Sequence, residues 1–532
     1  MTATQPLQAH QVSICSTIAK LSVNLDATDN VNLLFPKLNQ FNQFVTEQEQ
    51  NCFLLASTYN PTSILDHGVN FSSGTVNSFF GHFDLDGNKH LVFSDTELLS
   101  EQRPIYIPVS LLLQEYDLAE LIVKTLNAKH FNSRWLLNSN SPANMVGARH
   151  KLIPSNINVI LYGSTYELIH FSGQWPTIDL ATHSVIHEAD LVFKPTAENL
   201  SALCTLINNL FKYIPNKAQL NALVWALSRL AEDQHWLIID IDYLTRLHQL
   251  LNKDYVKSDV EHAVKTLTGY YSHAKQFNYD QIQRGIVNVE FSGEKIGQIN
   301  GLTVVETDHA EFGEPSRITA NVFLGDGDIG DIERKSDLGG NIHAKAMMIL
   351  SSFVSRTFAH NAPMPVSSNI VFEQSYHEVD GDSASIAELY ALLSALAEVP
   401  IKQNVAITGA MDQLGSVQAV GGVDLKIEAF YELSKLVSPD STPTVIIPKT
   451  NVPHLNLNSD VVKAIDDGQL IIVPISHVDQ AAKLLTGLVA ESEDGNSLFE
   501  KVRLSLDKFE EDTESHPTFK QKLARFLKLY SN

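Results

Sequence analysis

The sequence predicts an α/β protein in which two α/β domains flank a helical segment, and three observations carry that reading. Through the first 197 residues, short apolar runs closed by polar turns alternate with amphipathic helical stretches. Residues 198–284 keep apolar residues at helical spacing and show little strand signal. From 285 to 490, strand-like and helical segments alternate again, as in a second α/β layer. A charged segment with a helical pattern, 491–532, follows. At 532 residues the chain exceeds what one core accommodates, in keeping with several domains.

In the first domain, NCFLLAS at 51–57, KHLVFSD at 89–95, RWLLNS at 134–139 and NVILYGS at 158–164 read as buried strands. SLLLQEYDLAELIVKTLNAK reads as a helix between them, so the strands are expected to be parallel. ENLSALCTLINNLFKYI, LNALVWALSRLAED and DIDYLTRLHQLLNK then predict helices, and SDVEHAVKTL places Ser258 three residues ahead of Glu261, the spacing of a capping box. Beyond Gly285, IVNVEF, GQINGLTVV, SRITANVFL and SNIVFEQS read as strands, with Asn300-Gly301 predicting a tight turn. A helix from about 383, a strand around NVAITG, a helix from about 423 and strands at TVIIP and LIIVPI complete the second layer.

Composition narrows the function. The 38 basic side chains against 61 acidic ones give a net charge of -23, which argues against nucleic acid as a partner. Cys15, Cys52 and Cys204 lie far apart with no CxxC pairing, against a disulfide framework or a zinc site. No metal-ligand cluster has sensible spacing, so neither metal nor cofactor is expected and chelators should have no effect. No run reaches the roughly 18 apolar residues of a membrane helix. The opening MTATQPLQAHQVSICSTIAK lacks a leader pattern, so the expectation is a soluble, cytoplasmic protein without a membrane partner.

The chemistry concentrates in VDGDSASIAELYALLSALAEVP, 379–400. Ile386, Leu389, Tyr390, Leu393, Leu396 and Ala397 predict one apolar helix face, ended before Pro400. Ser383 stands at the start of this helix, where a serine is commonly a cap. Gly381 permits a tight turn that would present Ser383 as a nucleophile, and the free N–H groups of the first helical turn would suit a developing oxyanion. A serine hydroxyl also needs a base. In AITGAMDQLGSVQAVGGVDLKIEAFYE, from 406, Gly421 and Gly422 open a helix whose first turn holds Lys426. By itself that residue reads either as a solvated lysine or, if buried, as a neutral amine able to act as a base.

Taken jointly, Asp380-Gly381-Asp382-Ser383-Ala384-Ser385, Thr408-Gly409, Leu414-Gly415-Ser416-Val417 and Val420-Gly421-Gly422-Val423-Asp424-Leu425-Lys426 resemble the proteolytic domain of the Lon family. That family's nucleophile motif runs Asp-Gly-Pro-Ser-Ala-Gly, and its lysine follows a Gly-Gly pair. The resemblance covers about 285–490, including GQINGLTVV and GGNIHAKAMMIL. It implies a Ser383–Lys426 dyad in a serine endopeptidase, with the Thr408 hydroxyl orienting the lysine and with Asp380 and Gly381 in supporting places. It also implies polypeptide substrates and a hexameric ring. Asp382 stands where the family usually has proline and Ser385 where it has glycine, as in a divergent bacterial branch of Lon-like proteins.

Lon proteins usually couple the peptidase to an AAA+ motor, but no GxxxxGK[ST] occurs in the sequence. GHFDLDGNK at 81–89 has Asn88 before Lys89 and His90 where a hydroxyl should stand, while HLVFSDTE and LIIDID only mimic a Walker B strand. NVILYGSTYELIHF and RLAEDQHWLIIDIDYLTRLHQLL nevertheless resemble an AAA+ core and lid. The resemblance implies a degenerate AAA+-like α/β domain at 1–197, a helical lid at 198–284, a Lon-type proteolytic domain at 285–490 and a charged helical tail. The expected function is cleavage of unfolded or flexible polypeptides without ATP. The competing expectation is an interaction or chaperone-like scaffold with a little-used peptidase domain.

Overall fold

Apolar runs build two sheets, each the centre of its own body of chain. The computed structural model describes residues 4–48, 51–64, 68–86, 90–137, 149–175, 182–308, 310–336, 338–359, 364–375 and 380–515. These residues fall into two compact units, one made of Leu21–Leu220 and Trp236–Asn252, the other of Met1–Lys20, Asn221–His235 and Lys253–Asn532.

The first unit holds a five-stranded sheet of β1 (Cys52–Ala56), β2 (Val69–Asn70), β3 (Ile105–Pro108), β4 (Val159–Gly163) and β5 (Thr182–Glu188). Its order is β2-β3-β4-β1-β5 and every pair is parallel. Cys52–Leu55 and Val159–Tyr162 are buried without alternation, the pattern of strands covered on both faces. Helix α1 (Tyr116–Ala128) packs Leu118, Ile122 and Leu126 into a core with Leu54, Ile105, Ile107 and Leu161.

Two expected strands differ. Leu91–Asp95 pairs antiparallel with Gly81–Leu85 instead of joining the parallel sheet. RWLLNS begins as a 3-10 turn, Ser133–Leu136, because the Asn132 side chain accepts the Arg134 N–H and so caps it. Asn138, Ser139 and Lys89 lie outside the described residues.

Helical periodicity yields α2 (Ala197–Phe211), α3 (Lys217–Ala231), α4 (Ile241–Leu250), α5 (Lys257–Leu267) and α6 (His273–Gln283). The stretch 198–284 is shared between the units: α2 and α4 fall in the first, α5 and α6 in the second. The capping box at Ser258 and Glu261 does not form. Helix α5 starts one residue before Ser258, Asp259 accepts the Val256 N–H, and Glu261 accepts the N–H and hydroxyl of Ser459 instead.

The second unit is built on β6 (Gln298–Thr307), β7 (Ala310–Leu324), β8 (Ile329–Asp331), β9 (Val366–Phe372), β10 (Val405–Ile407), β11 (Thr444–Pro448) and β12 (Ile471–Ile475). Their order is β8-β9-β7-β6-β10-β11-β12. The pairs β9–β7 and β7–β6 are antiparallel and the other four parallel.

Asn300-Gly301 is not a turn but lies inside β6, paired with Arg317 and Ser316. The Asn300 amide is buried and donates to the Glu290 and Gln403 carbonyls, a task no surface turn would set. IVNVEF joins no ladder; part of its bonding goes to that side chain.

Helices cover both sheet faces. A single turn, α7 (Ile332–Lys335), leads from β8 toward α8 (Asn341–Phe358); with α9 (Ser385–Ala397), α8 packs Leu350, Ile386, Leu389 and Leu393 on Ile299, Ile318, Ile370, Ile407 and Ile446. On the other face, α10 (Val423–Val437) sets Ile427, Phe430 and Leu433 against Leu302, Phe312, Ala406, Val445 and Ile447. The alternation Ala406/Ile407 and Val445/Ile446/Ile447 between the two clusters is the period-2 signature of a strand.

Helix α9 departs from the one-faced pattern expected of it. Ala387, Glu388, Ala391, Leu392 and Ser394 are buried as well, since α11 (Leu498–Ser515) packs Leu498, Val502 and Leu506 into the same cluster. Each fully buried leucine there contributes on the order of 2 kcal/mol. The rest of the expected tail, 516–532, is outside the described residues.

Candidate active site

The loop that carries Ser383 takes its shape from Gly381, whose φ of +137° favours glycine. A Cβ at this glycine would meet nothing within 4 Å, so the demand is one of backbone conformation alone. Asp380 anchors the loop, its Oδ1 accepting the N–H groups of Ile342 (3.0 Å) and His343 (3.3 Å) in the first turn of α8. The Asp382 carbonyl accepts the Ser385 N–H and hydroxyl, and Ala384 holds the N-cap position of α9. Ser383 is therefore not the cap. Its carbonyl accepts the Gly409 N–H (2.7 Å) and the Thr408 hydroxyl (3.2 Å), which fixes it beside the end of β10.

Helix α10 arrives on the opposite sheet face. Gly422, at φ +64°, turns the chain into it, and a Cβ there would lie 2.6 Å from Val304. Gly421 has open space, so only the second glycine of the pair is sterically required. Lys426 then points inward, 3% exposed, with Nζ 3.1 Å from Ser383 Oγ and 3.4 Å from Thr408 Oγ1. Burial pushes its amine down to about 8, against the pull of the Asp382 and Glu232 carboxylates. A fall of that size favours the neutral amine by about 3 kcal/mol.

The acidic side chains of α10 are engaged elsewhere. Asp424, pushed up to about 7 by burial, accepts the Asn456 N–H with both oxygens. Glu428 forms a two-point ion pair with Arg229, at 2.7 Å for each contact. Lys426 thus faces two hydroxyls and a neutral or cationic choice set by pH. A neutral amine against a serine hydroxyl is the arrangement of a general base and its nucleophile.

Of the N–H groups expected to hold an oxyanion, Ser385's goes to the Asp382 carbonyl and Ile386's to the Gly409 carbonyl. Those two are therefore committed to the fold. The acids that mimic a Walker B strand also have structural tasks: Asp240 caps α4 by accepting the Tyr243 N–H, and Asp95 pairs with Lys151 at 2.7 Å.

Residues 293–487 match the family model of the Lon protease (S16) C-terminal proteolytic domain. The chain carries a Lon-type proteolytic domain. A Lon protease homolog of Escherichia coli (strain K12) is 47% identical over 226 residues, 42% of this chain and 39% of that protein. A second, from Haemophilus influenzae, is 43% identical over 240 residues, 44% of this chain and 40% of that protein. The archaeal Lon protease of Methanocaldococcus jannaschii is 30% identical over 260 residues, 44% of this chain and 35% of that protein. The chain thus spans about two fifths of the length of the first two relatives. Among the described residues no helix is long and apolar enough to cross a membrane.

Sequence reasoning did not single out one constellation in the Lon-type domain. Asp331, Glu333 and His343 converge with Glu388 in the interior. The only linear trace is Asp-x-Glu followed ten residues later by His, which becomes a cluster only once β8, α7, α8 and α9 are placed.

Proposed function

We propose that the chain is a serine endopeptidase in which Ser383 attacks the peptide carbonyl and Lys426 carries the proton. The observation that carries this reading is the 3.1 Å approach of a buried amine to the Ser383 hydroxyl. Neutral Lys426 takes the hydroxyl proton as Oγ bonds to the carbonyl carbon, then gives it to the departing amine nitrogen. Water cleaves the resulting ester with Lys426 again as base. Thr408, bonded to both the Ser383 carbonyl and Lys426 Nζ, positions the pair. Asp380 and Gly381 hold the loop.

The substrates in this reading are unfolded or flexible polypeptides, cleaved without ATP by a cytoplasmic hexameric ring whose other half is a degenerate AAA+-like domain and lid. The strand order of the first sheet supports the degenerate half. Its order reverses at β1, where an open parallel sheet places a ligand cleft. The segment after β1 runs Ser57-Thr58-Tyr59-Asn60 into a 3-10 turn at Pro61–Ser63, with Ser57 Oγ donating to the Tyr59 carbonyl. It offers no glycine-rich cradle of N–H groups for phosphates.

A fluorophosphonate probe tests the chemistry, casein digestion with and without ATP and magnesium tests the energetics, and native mass spectrometry tests the ring. Labelling at Ser383, equal casein rates and survival of a tightly folded reporter are expected. An unlabelled Ser383 would favour the scaffold reading. Several-fold acceleration by ATP would refute the degenerate motor.

A further inference from the structure

Behind the nucleophile loop, four ionisable side chains are buried together. Asp331 ends β8, Glu333 sits in α7, His343 in the first turn of α8 and Glu388 in the first turn of α9, none more than 7% exposed. One ligand atom from each of Asp331, Glu333 and His343 lies within 4.8 Å of the others. His343 Nε2 is 3.1 Å from Asp331 Oδ2, and its Nδ1 is 3.7 Å from Glu388 Oε1.

The bonding of these groups is incomplete. Asp331 Oδ1 accepts the Arg334 N–H and Glu333 Oε1 accepts the Phe372 N–H, so the outer oxygens are tied to backbone. Toward the centre, Asp331 Oδ2 and His343 Nε2 have only each other at 3.1 Å, and both Glu388 oxygens are buried without a hydrogen bond. Groups left that way are costly. Three carboxyl groups also face one imidazole, so even an imidazolium leaves negative charge that protons or a metal ion must balance.

We propose that Asp331, Glu333 and His343 form a binding site for one divalent metal ion of the zinc class, with Glu388 orienting the imidazole. One imidazole nitrogen and two carboxylate oxygens suit such an ion. A carboxylate facing the second ring nitrogen is the usual support of a metal-bound histidine. Asp331 also lines a groove of about 670 Å³ with Gly330, Arg334, Met347 and Ser351, which gives an ion access. The bound ion would tie α7, α8 and α9 together beneath Ser383, because Asp380 accepts the His343 N–H and Glu388 lies on the helix that follows the nucleophile. It is a positioning site and does not touch the reacting atoms. The site runs against the expectation, drawn from spacing, that chelators leave the protein unaffected.

The full chain, stripped with a chelator and dialysed, is titrated with Zn²⁺ by calorimetry and with Co²⁺ by visible absorption. One ion per chain is expected in the wild type and in Ser383→Ala, one fewer in Asp331→Asn and His343→Gln, with about 10–100-fold weaker binding in Glu388→Gln. Equal uptake by the wild type and the two ligand variants, or Co²⁺ bands unchanged in them, would mean that protons alone hold the cluster and would overturn the proposal. If the variants do not fold, X-ray absorption on the wild type with one Zn²⁺ per chain decides. A shell of one imidazole with oxygen ligands supports the site; no retained ion, or a shell containing sulfur or several imidazoles, overturns it.

Discussion

Lys275 and Lys426 are two buried lysines whose amines burial pushes down to about 8, and their surroundings make opposite use of that fact. Lys275 meets a carboxylate and a ring: its Nζ is 3.1 Å from Glu432 Oε2 and 2.9 Å from the centre of the Tyr270 ring, whose hydroxyl donates to the same oxygen. Lys426 meets the Ser383 and Thr408 hydroxyls. The depressed value marks a buried amine in both places. Only the partner separates a brace from a base, since a lysine held against a carboxylate has its charge stabilised where it sits, whereas one facing a nucleophilic hydroxyl can accept its proton.

The sharpest way to break this comparison is to remove each amine. Ser383→Ala and Lys426→Ala should each lower kcat/KM on a peptide by at least about a thousandfold, with the double variant no worse than either single one. Lys426→Arg should be as inactive as the alanine variant, because guanidinium stays charged. Lys275→Met should leave turnover per folded molecule unchanged. Comparable losses at Lys275 and Lys426 would erase the distinction.

A large stability effect belongs to the brace side of α10. Arg229→Ala strands buried Glu428 without its two-point partner and should cost about 3–5 kcal/mol in denaturant unfolding, whereas Ser383→Ala should unfold near the wild-type midpoint.

The third effect is on pH. With the folded amine near 8 and the unfolded amine near its ordinary 10.5, Lys426 is charged below about 8 and neutral above it. Activity should therefore rise through about pH 8. The same depression disfavours the folded state below pH 8, and that penalty is relieved as pH climbs from 8 toward 10.5. Lys426→Met should accordingly abolish activity yet melt higher than the wild type at pH 7. A flat pH profile, or a variant that melts lower, would contradict the burial argument.

The smallest change concerns Thr408, whose hydroxyl bonds the Ser383 carbonyl and lies within reach of Lys426. Thr408→Val should cost about tenfold in kcat, the worth of one hydrogen bond, and Thr408→Ser should restore most of it.

Local chemistry was readable where a residue type imposes its own geometry. Gly381 and Gly422 sit at positive φ, and the loop and helix they open bring Ser383 and Lys426 together across 43 residues. The unbroken apolar runs at Cys52–Leu55 and Val159–Tyr162 announced buried parallel strands for the same reason. What could not be read depended on distant partners. Asn300-Gly301 has the composition of a turn, but the Glu290 and Gln403 carbonyls claim its amide. Ser258 has capping spacing, but Ser459 claims Glu261. Asp331, Glu333, His343 and Glu388 come from four elements whose proximity follows from the packing of helices on the sheet, which periodicity does not encode.

The placement of α9 and α10 on opposite faces of one sheet has a consequence for the order of synthesis. Helix α10 is held by Val445, Ile447, Leu455, Leu457 and Ile472, and α9 by Val502 and Leu506, all later in the chain than Lys426. While the ribosome is still adding those residues, the serine and lysine have been made but lack the layers that bring them together. A nascent chain that has not yet reached Leu506 therefore emerges unarmed.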